Sequence, residues 1–302
     1  MWHIFFYFFT NSYETLFISL KHPYINTKMR LLFTVIFSII FFVNSVAQGD
    51  LMIFPKRLVF EGTQKRAQTL YLSNNGNEIE TYRLSYLEVR MGSNGQFETI
   101  KLPDPGQRFA SPYLRVYPRT ITLAPNEAQV VKVQLTKTNE LKPGEYRSHL
   151  YFRAVPKTKS DKKNKETNDR QGFDISLTPV YGISIANIIQ IGEPEVNVSL
   201  SDLNFEVLND SIPIISMNFN RQGEYSIYGD FRVHHTSKEG KETEVAVMKG
   251  FAVYVPGATR KVRVELNTSK DVDYSSGLLK VTYTSQADGK IYATELLNLK
   301  SS

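Results

Sequence analysis

Thirteen consecutive residues, Phe173-Asp174-Ile175-Ser176-Leu177-Thr178-Pro179-Val180-Tyr181-Gly182-Ile183-Ser184-Ile185, carry an apolar or aromatic side chain or a proline at every odd position. The even positions are small or polar, apart from Val180. Successive side chains of a strand point to opposite faces, so a period of two held this long predicts one extended β-strand with a single hydrophobic face. Pro179 has no N–H to give a ladder, so at least one side of that strand is expected to be an edge. Just before it, Lys157 to Arg170 hold no aliphatic or aromatic residue, which predicts a solvated loop. A long apolar edge strand behind such a loop is an aggregation hazard unless pairing with another chain is its purpose. The face of Phe173, Ile175 and Leu177 is therefore either core of its own domain or a surface offered to a partner.

The rest of the chain from Leu51 onward is made of short alternating segments separated by turn chemistry, with no stretch of helical spacing. Leu58 with Phe60, Leu70 with Leu72, Tyr82 to Val89, Phe97 to Ile100, Tyr113 to Tyr117, Ile121 to Leu123, Val131 to Leu135 and Ser148 to Phe152 read as strands. Ser93-Asn94-Gly95-Gln96 is a hairpin signal, because Asn-Gly accepts positive φ. Ala124-Pro125-Asn126-Glu127 is a turn with proline in its second position, and Lys142-Pro143-Gly144-Glu145 suits a type II turn. Ile191-Gly192-Glu193-Pro194 then interrupts the pattern. Beyond it, Val196 to Leu200, Ile212 to Phe219, Tyr225 to His234, Glu244 to Tyr254, Lys261 to Leu266, Leu278 to Thr284 and Ile291 to Leu297 form a second set of strands. Ala287-Asp288-Gly289-Lys290 is expected to be a two-residue hairpin turn. Strand number and spacing predict an all-β chain with two tandem immunoglobulin-like β-sandwich domains, residues 48–190 and 196–302, joined by a linker at 191–195.

The first residues stand apart. Met29-Arg30 precedes thirteen residues from Leu31 to Val43 rich in apolar side chains, followed by Ser45 and Ala47. This is the pattern of a secretory signal over 29–47, cleaved after Ala47. As a helix those thirteen residues would span about 20 Å, short of the roughly 30 Å of a bilayer's hydrocarbon, so no stable membrane insertion is expected after cleavage. Residues 1–28 read as an over-called start. The mature chain is expected to be exported from the cytoplasm.

The chain has no cysteine, which removes disulfides, thiol chemistry and a lipid-bearing cysteine. Lys157 to Arg170 holds six basic and three acidic residues, so the positive balance of the part after Ala47 is largely local and gives no reason to invoke nucleic acid. No glycine-rich phosphate cradle or nucleophile elbow is present. The adjacent His234 and His235 fall on opposite faces of one strand and make a poor metal pair. Asp271 and Asp273, beside Ser275, Ser276 and Gly277, read as a solvated turn. No enzymatic activity, cofactor or metal is expected.

In their order and spacing, Pro55-Lys56-Arg57-Leu58-Val59-Phe60-Glu61-Gly62, Thr69-Leu70-Tyr71-Leu72-Ser73-Asn74, Tyr117-Pro118 through Leu123-Ala124-Pro125-Asn126-Glu127, and Arg147-Ser148-His149-Leu150-Tyr151-Phe152 with Val155-Pro156 resemble the PapD-like periplasmic chaperones that assemble surface pili. The resemblance covers the first domain by residues and the second by strand rhythm. It implies a boomerang of two sandwiches that donates a strand to an incomplete pilus or surface-fibre subunit until an outer-membrane usher exchanges it, a mode of strand addition known for chaperone and pilin. It also implies that Arg57 anchors the subunit's C-terminal carboxylate. The family's partner lysine has no counterpart: its place falls at Tyr181 or Gly182, and no Lys or Arg lies between Arg170 and Arg221. The partner-binding set expected is Arg57, Phe173, Ile175, Leu177, Tyr181 and Ile183. The alternative is a secreted two-domain structural or adhesion protein.

Overall fold

In chain order the strands of the first half are β1 (Leu51–Phe54), β2 (Arg57–Glu61), β3 (Ala67–Asn74), β4 (Glu80–Leu87), β5 (Val89–Met91), β6 (Phe97–Thr99), β7 (Leu114–Tyr117), β8 (Thr120–Leu123), β9 (Ala128–Leu135), β10 (Gly144–Ala154) and β11 (Gly182–Ile191). The computed structural model describes residues 51–156, 180–193, 195–209, 211–268 and 272–299, all within one compact unit, Gly49–Ser302. The signal segment, the Lys-rich stretch and Phe173, Ile175, Leu177 and Pro179 lie outside the described residues.

Alternation builds the first sandwich. Residues two apart share a face, so Leu51 and Ile53, Leu70 and Leu72, Val131 and Val133, and Leu114 and Val116 all point inward from one sheet of order β1-β3-β9-β7. The facing sheet has the order β2-β11-β10-β4-β8, and its Leu58, Phe60, Leu84, Ile121, Leu150, Phe152, Ile185 and Ile189 complete the same core. Only β2 and β11 run parallel in this sandwich; the other neighbours are antiparallel. The chain passes from one sheet to the other between β1 and β2, where the Phe54–Pro55 peptide is cis. Asn126 at φ +60° closes the turn after Pro125, with Glu127 N–H donating to Ala124 O over 3.0 Å. β5 and β6 form a separate hairpin across the Asn94-Gly95 turn.

The second half holds β12 (Val196–Leu208), β13 (Ile212–Gly223), β14 (Ile227–Thr236), β15 (Glu242–Val253), β16 (Thr259–Glu265), β17 (Gly277–Ser285) and β18 (Ile291–Leu299). They make two sheets, β12-β13-β16 and β15-β14-β17-β18. The core between them centres on Phe219, Phe231, Phe251 and Tyr283, whose ring centroids lie 4.7 to 6.2 Å apart. The chain is thus all-β, with two immunoglobulin-like sandwiches in tandem.

Three details depart from expectation. β1 adds a strand ahead of Leu58. The organising strand does not stop at Ile185, since β11 continues to Ile191. Its alternation is lost at Ala186-Asn187-Ile188-Ile189 because both faces are buried there: Ile189 enters the first core, while Ala186 and Ile188 pack against Ala252 and Tyr254 of the second sandwich. The Ala287–Lys290 turn is wider than a two-residue hairpin. β17 ends at Ser285 and β18 begins at Ile291, because Lys290 N–H donates to the Asp288 carboxylate (3.2 Å) and the register slips between Tyr283 and Thr284.

Candidate functional site

β11 is paired along its whole length with β10, but β2 joins its other side only from Ala186, which lies opposite Arg57, to Gln190, opposite Glu61. Gly182 to Ile185 therefore have no strand neighbour on that side among the described residues. On this open stretch Tyr181 and Ile183 are 44% and 38% exposed, whereas Ile185 and Ile189, on the same face, are buried. The inward apolar row of the first core thus runs out of the sandwich along a free edge. Its direction is fixed by β10, where Ile183 sits opposite Phe152 and Ala154 N–H donates to Tyr181 O over 2.9 Å. The Tyr151 ring lies over Gly182, where a Cβ would collide with it. A glycine is what lets this aromatic ring cover the backbone.

Arg57 is the first residue of β2, half-buried and directed away from the core of Leu58 and Phe60. Its guanidinium carbon stands 4.4 Å above the ring centroid of Tyr228, a residue of the second sandwich. No carboxylate among the described residues is ion-paired with it. Sequence reasoning set Tyr181 or Gly182 at the place of a second cation beside Arg57. The structure separates them, because the residue opposite Arg57 is Ala186, four residues beyond Gly182, or about 13 Å along a strand. Tyr181 and Ile183 are instead brought together with each other, on the apolar face ahead of Arg57.

The wall beside Arg57 was not marked in the sequence. Val59, Met91, Ala186 and Ile188 of the first half pack against Tyr228, Ala252 and Tyr254 of the second. Next to them lies a buried polar row on β10, Glu145, Arg147 and His149. The Glu145 carboxylate accepts from Ser226 N–H (2.7 Å), from the Ser226 hydroxyl and from the Gln190 amide (3.2 Å), and burial pushes its pKa upward against these bonds. Tyr225 donates its hydroxyl to Ile191 O over 2.6 Å. The Arg147 guanidinium carbon lies 4.6 Å from the Tyr254 ring centroid, and Nη2 donates to Val89 O over 3.1 Å. Burial first, and Arg147 second, hold the His149 pKa down to about 3. A polar, polar, polar row on alternate positions of a strand reads as a solvent face, so only the arrival of the second sandwich reveals it as an interface.

Chemically the arrangement is an exposed main-chain edge with an apolar row on one face and, at its end, a guanidinium with no ion-pair partner among the described residues. Among the described residues no group of three or more His, Asp or Glu side chains is placed to hold a metal. Neither a family model nor a curated protein matches the sequence. Solved structures do match. The chain is similar to bacterial chaperones. The CsuC–CsuE chaperone–tip adhesion subunit pre-assembly complex from the archaic chaperone-usher Csu pili of Acinetobacter baumannii matches at 8% identity and a TM-score of 0.42, over 83% of this chain and 99% of that one. The E. coli chaperone DraB matches at 13% identity and 0.40, over 83% and 96% of the two chains. The Pseudomonas aeruginosa chaperone CupB2 matches at 12% and 0.39, over 83% and 100%. At such low identities and scores, the chemistry of β11 and Arg57 has to carry any functional conclusion.

Proposed function

We propose that this protein is a periplasmic chaperone that binds pilus, fimbrial or other surface-fibre subunits by donating the strand that leads into β11. The observation that supports it most directly is the apolar row leaving the core along a free edge that ends at Arg57. β2 runs parallel to β11 and occupies its edge only from Arg57 onward. A client strand taking the vacant part in line with β2, parallel to β11, would end at Arg57. Its terminal carboxylate would meet a guanidinium with donors to spare, at roughly 1.5–3 kcal/mol per charge-assisted bond. This agrees with the role that the family resemblance implies for Arg57.

Burying Phe173, Ile175 and Leu177 in a client's groove would contribute roughly 1.5–3 kcal/mol each, or about 5–9 kcal/mol together. Association costs about 4–15 kcal/mol, so the main-chain ladder and the Arg57 contact are needed as well. Secretion through cleavage after Ala47 would leave a mature chain beginning at Gln48, and an outer-membrane usher or other assembly platform would receive the client.

The test is quantitative co-purification from the periplasm of the native host, with the client identified by mass spectrometry. A near-stoichiometric fibre subunit is expected with the parent protein. Arg57→Ala should still fold, losing at most the roughly 0.5–2 kcal/mol of its stacking on Tyr228, yet capture less client. Ile175→Asp with Leu177→Asp should abolish capture, because it sets two unpaired charges in an apolar groove. A double variant that fails to fold without any client would assign that face to the protein's own core. Recovery of the parent at the cell surface, permanently bound, would favour a structural or adhesion role instead.

A further inference from the structure

We propose that the outward face of the β1-β3-β9-β7 sheet is a second docking surface, for a partner protein whose apolar contact patch is bordered by Asp and Glu side chains. The face is defined by register. Phe54 lies opposite Tyr71 and Tyr71 opposite Val130, so three outward side chains form one row across β1, β3 and β9. Met52 stands two residues before Phe54 on the same face of β1, and Tyr117 of β7 lies opposite Lys132, two residues after Val130. These five apolar and aromatic side chains are between 45% and 78% exposed. Singly exposed apolar residues need no explanation, but a contiguous set on neighbouring strands marks an interaction site. Aromatic residues, methionine and arginine, all present on this face, are also what protein interfaces are enriched in.

Charge on the same face selects the partner. Its outward cations are Arg115 and Lys132, and none of the outward positions on β1, β3, β7 or β9 is Asp or Glu. A second copy docked face to face would set cations against cations with no carboxylate to meet them. A sheet face whose interior strands are already paired on both sides offers no protruding element to enter a lipid surface, whereas it matches the face-to-face packing of one layer on another. A protein of opposite rim charge fits on both counts. The face is on the sheet opposite β11, so its partner and a client on the donated strand would occupy different sheets of one sandwich.

The experiment places a photoreactive benzoylphenylalanine at Tyr71 in the full chain, irradiates cells of the native host and identifies the adduct. That protein is then purified and titrated against the parent. The expected result is one partner with an acidic contact region, bound at least about tenfold more weakly by Tyr71→Ala. Lys132→Glu should weaken it similarly and flatten the dependence of association rate on salt. Arg83→Ala, on the other sheet, should leave the affinity unchanged. Retention of the adduct in Arg57→Ala separates this surface from the client edge, whatever becomes of the chaperone role. The proposal is overturned if no adduct forms, or if the adduct disappears in Arg57→Ala. It is equally overturned if light scattering shows a dimer that Tyr71→Ala dissolves, or if the protein instead binds phosphatidylglycerol vesicles through Tyr71.

Discussion

Replacing Glu145 tests what holds the two sandwiches in place beside the open edge of β11. Its carboxylate is buried and accepts three hydrogen bonds, two of them from Ser226 across the junction, and Arg147 and Arg221 are buried nearby. In Glu145→Ala the partly buried Ser226 N–H and Gln190 amide lose their acceptor, at up to about 1–3 kcal/mol each where water does not replace it. Two buried guanidiniums also lose a counter-charge, so a total of about 3–5 kcal/mol is expected. Glu145→Gln keeps the shape and an acceptor oxygen while removing the burial cost of an ion, and should stay within about 1 kcal/mol of the parent near neutral pH. The pH dependence has a definite sign. Burial raises the folded-state pKa above its ordinary value of 4.5, so the folded protein binds this proton more tightly than the unfolded chain. The contribution is fully present below that value and is lost as pH rises through the raised folded pKa. Urea unfolding of the parent and both variants at about pH 4, 6 and 8 measures this directly. The parent's stability relative to Glu145→Gln should fall as pH rises. If it rises instead, Arg147 and Arg221 outweigh burial and Glu145 is an ion-pair clamp. An Ala variant as stable as the parent would mean that these contacts do not hold the junction at all.

Two further outcomes follow from the same interface. His149 has a folded pKa of about 3 against an ordinary 6.5, so its share of stability is present above about pH 6.5 and lost as pH falls towards about 3; His149→Phe should flatten the acid limb of the stability curve, and an unchanged slope would exclude His149 as its source. Gly95 has φ +81° and supports the Arg260 guanidinium where a Cβ would collide, while Ser93 O accepts from Lys261 N–H over 2.8 Å. Gly95→Ala should cost about 1–3 kcal/mol and speed amide exchange at Lys261, and a variant that melts and exchanges like the parent would show that the β5–β6 hairpin does not brace the second sandwich.

The strands that could be read in advance were those with polar contrast between their faces. Each of the segments marked from Val196 to Leu297 contains or overlaps one of β12 to β18, because the inward residues there alternate with Asn, Ser, Thr, Lys, Arg or Glu. β1 escaped notice because Leu51, Met52, Ile53 and Phe54 are apolar on both faces: two enter the core and two are exposed. The lack of contrast that hides the strand is the same feature that leaves Met52 and Phe54 exposed on its outer face. The end of β11 was misjudged for the converse reason, since burial from two sides erases alternation. Glu145, Arg147 and His149 look like a wet face, and nothing local in the sequence says that a second domain will cover them.

Position along β11 also changes what Arg57 and Tyr181 can do. Had they been neighbours, they would have shared one carboxylate. With Ala186 opposite Arg57, Tyr181 belongs to the apolar row and Arg57 stands at its end, so each would meet a different part of a client strand, about five residues apart. In the proposed role, the anchor would rest on a single guanidinium. Its stacking on Tyr228 makes that workable: the ring covers one flat face of the group, while the N–H donors lie in the plane, where stacking leaves them open to a carboxylate. A carboxylate approaching edge-on can be held bidentately without a second cation, provided that Tyr228 keeps the plane oriented. Anchoring in this protein would therefore depend on the second sandwich as much as on Arg57. The buried Glu145–Ser226 contacts that fix the junction would then bear on client affinity without touching the client.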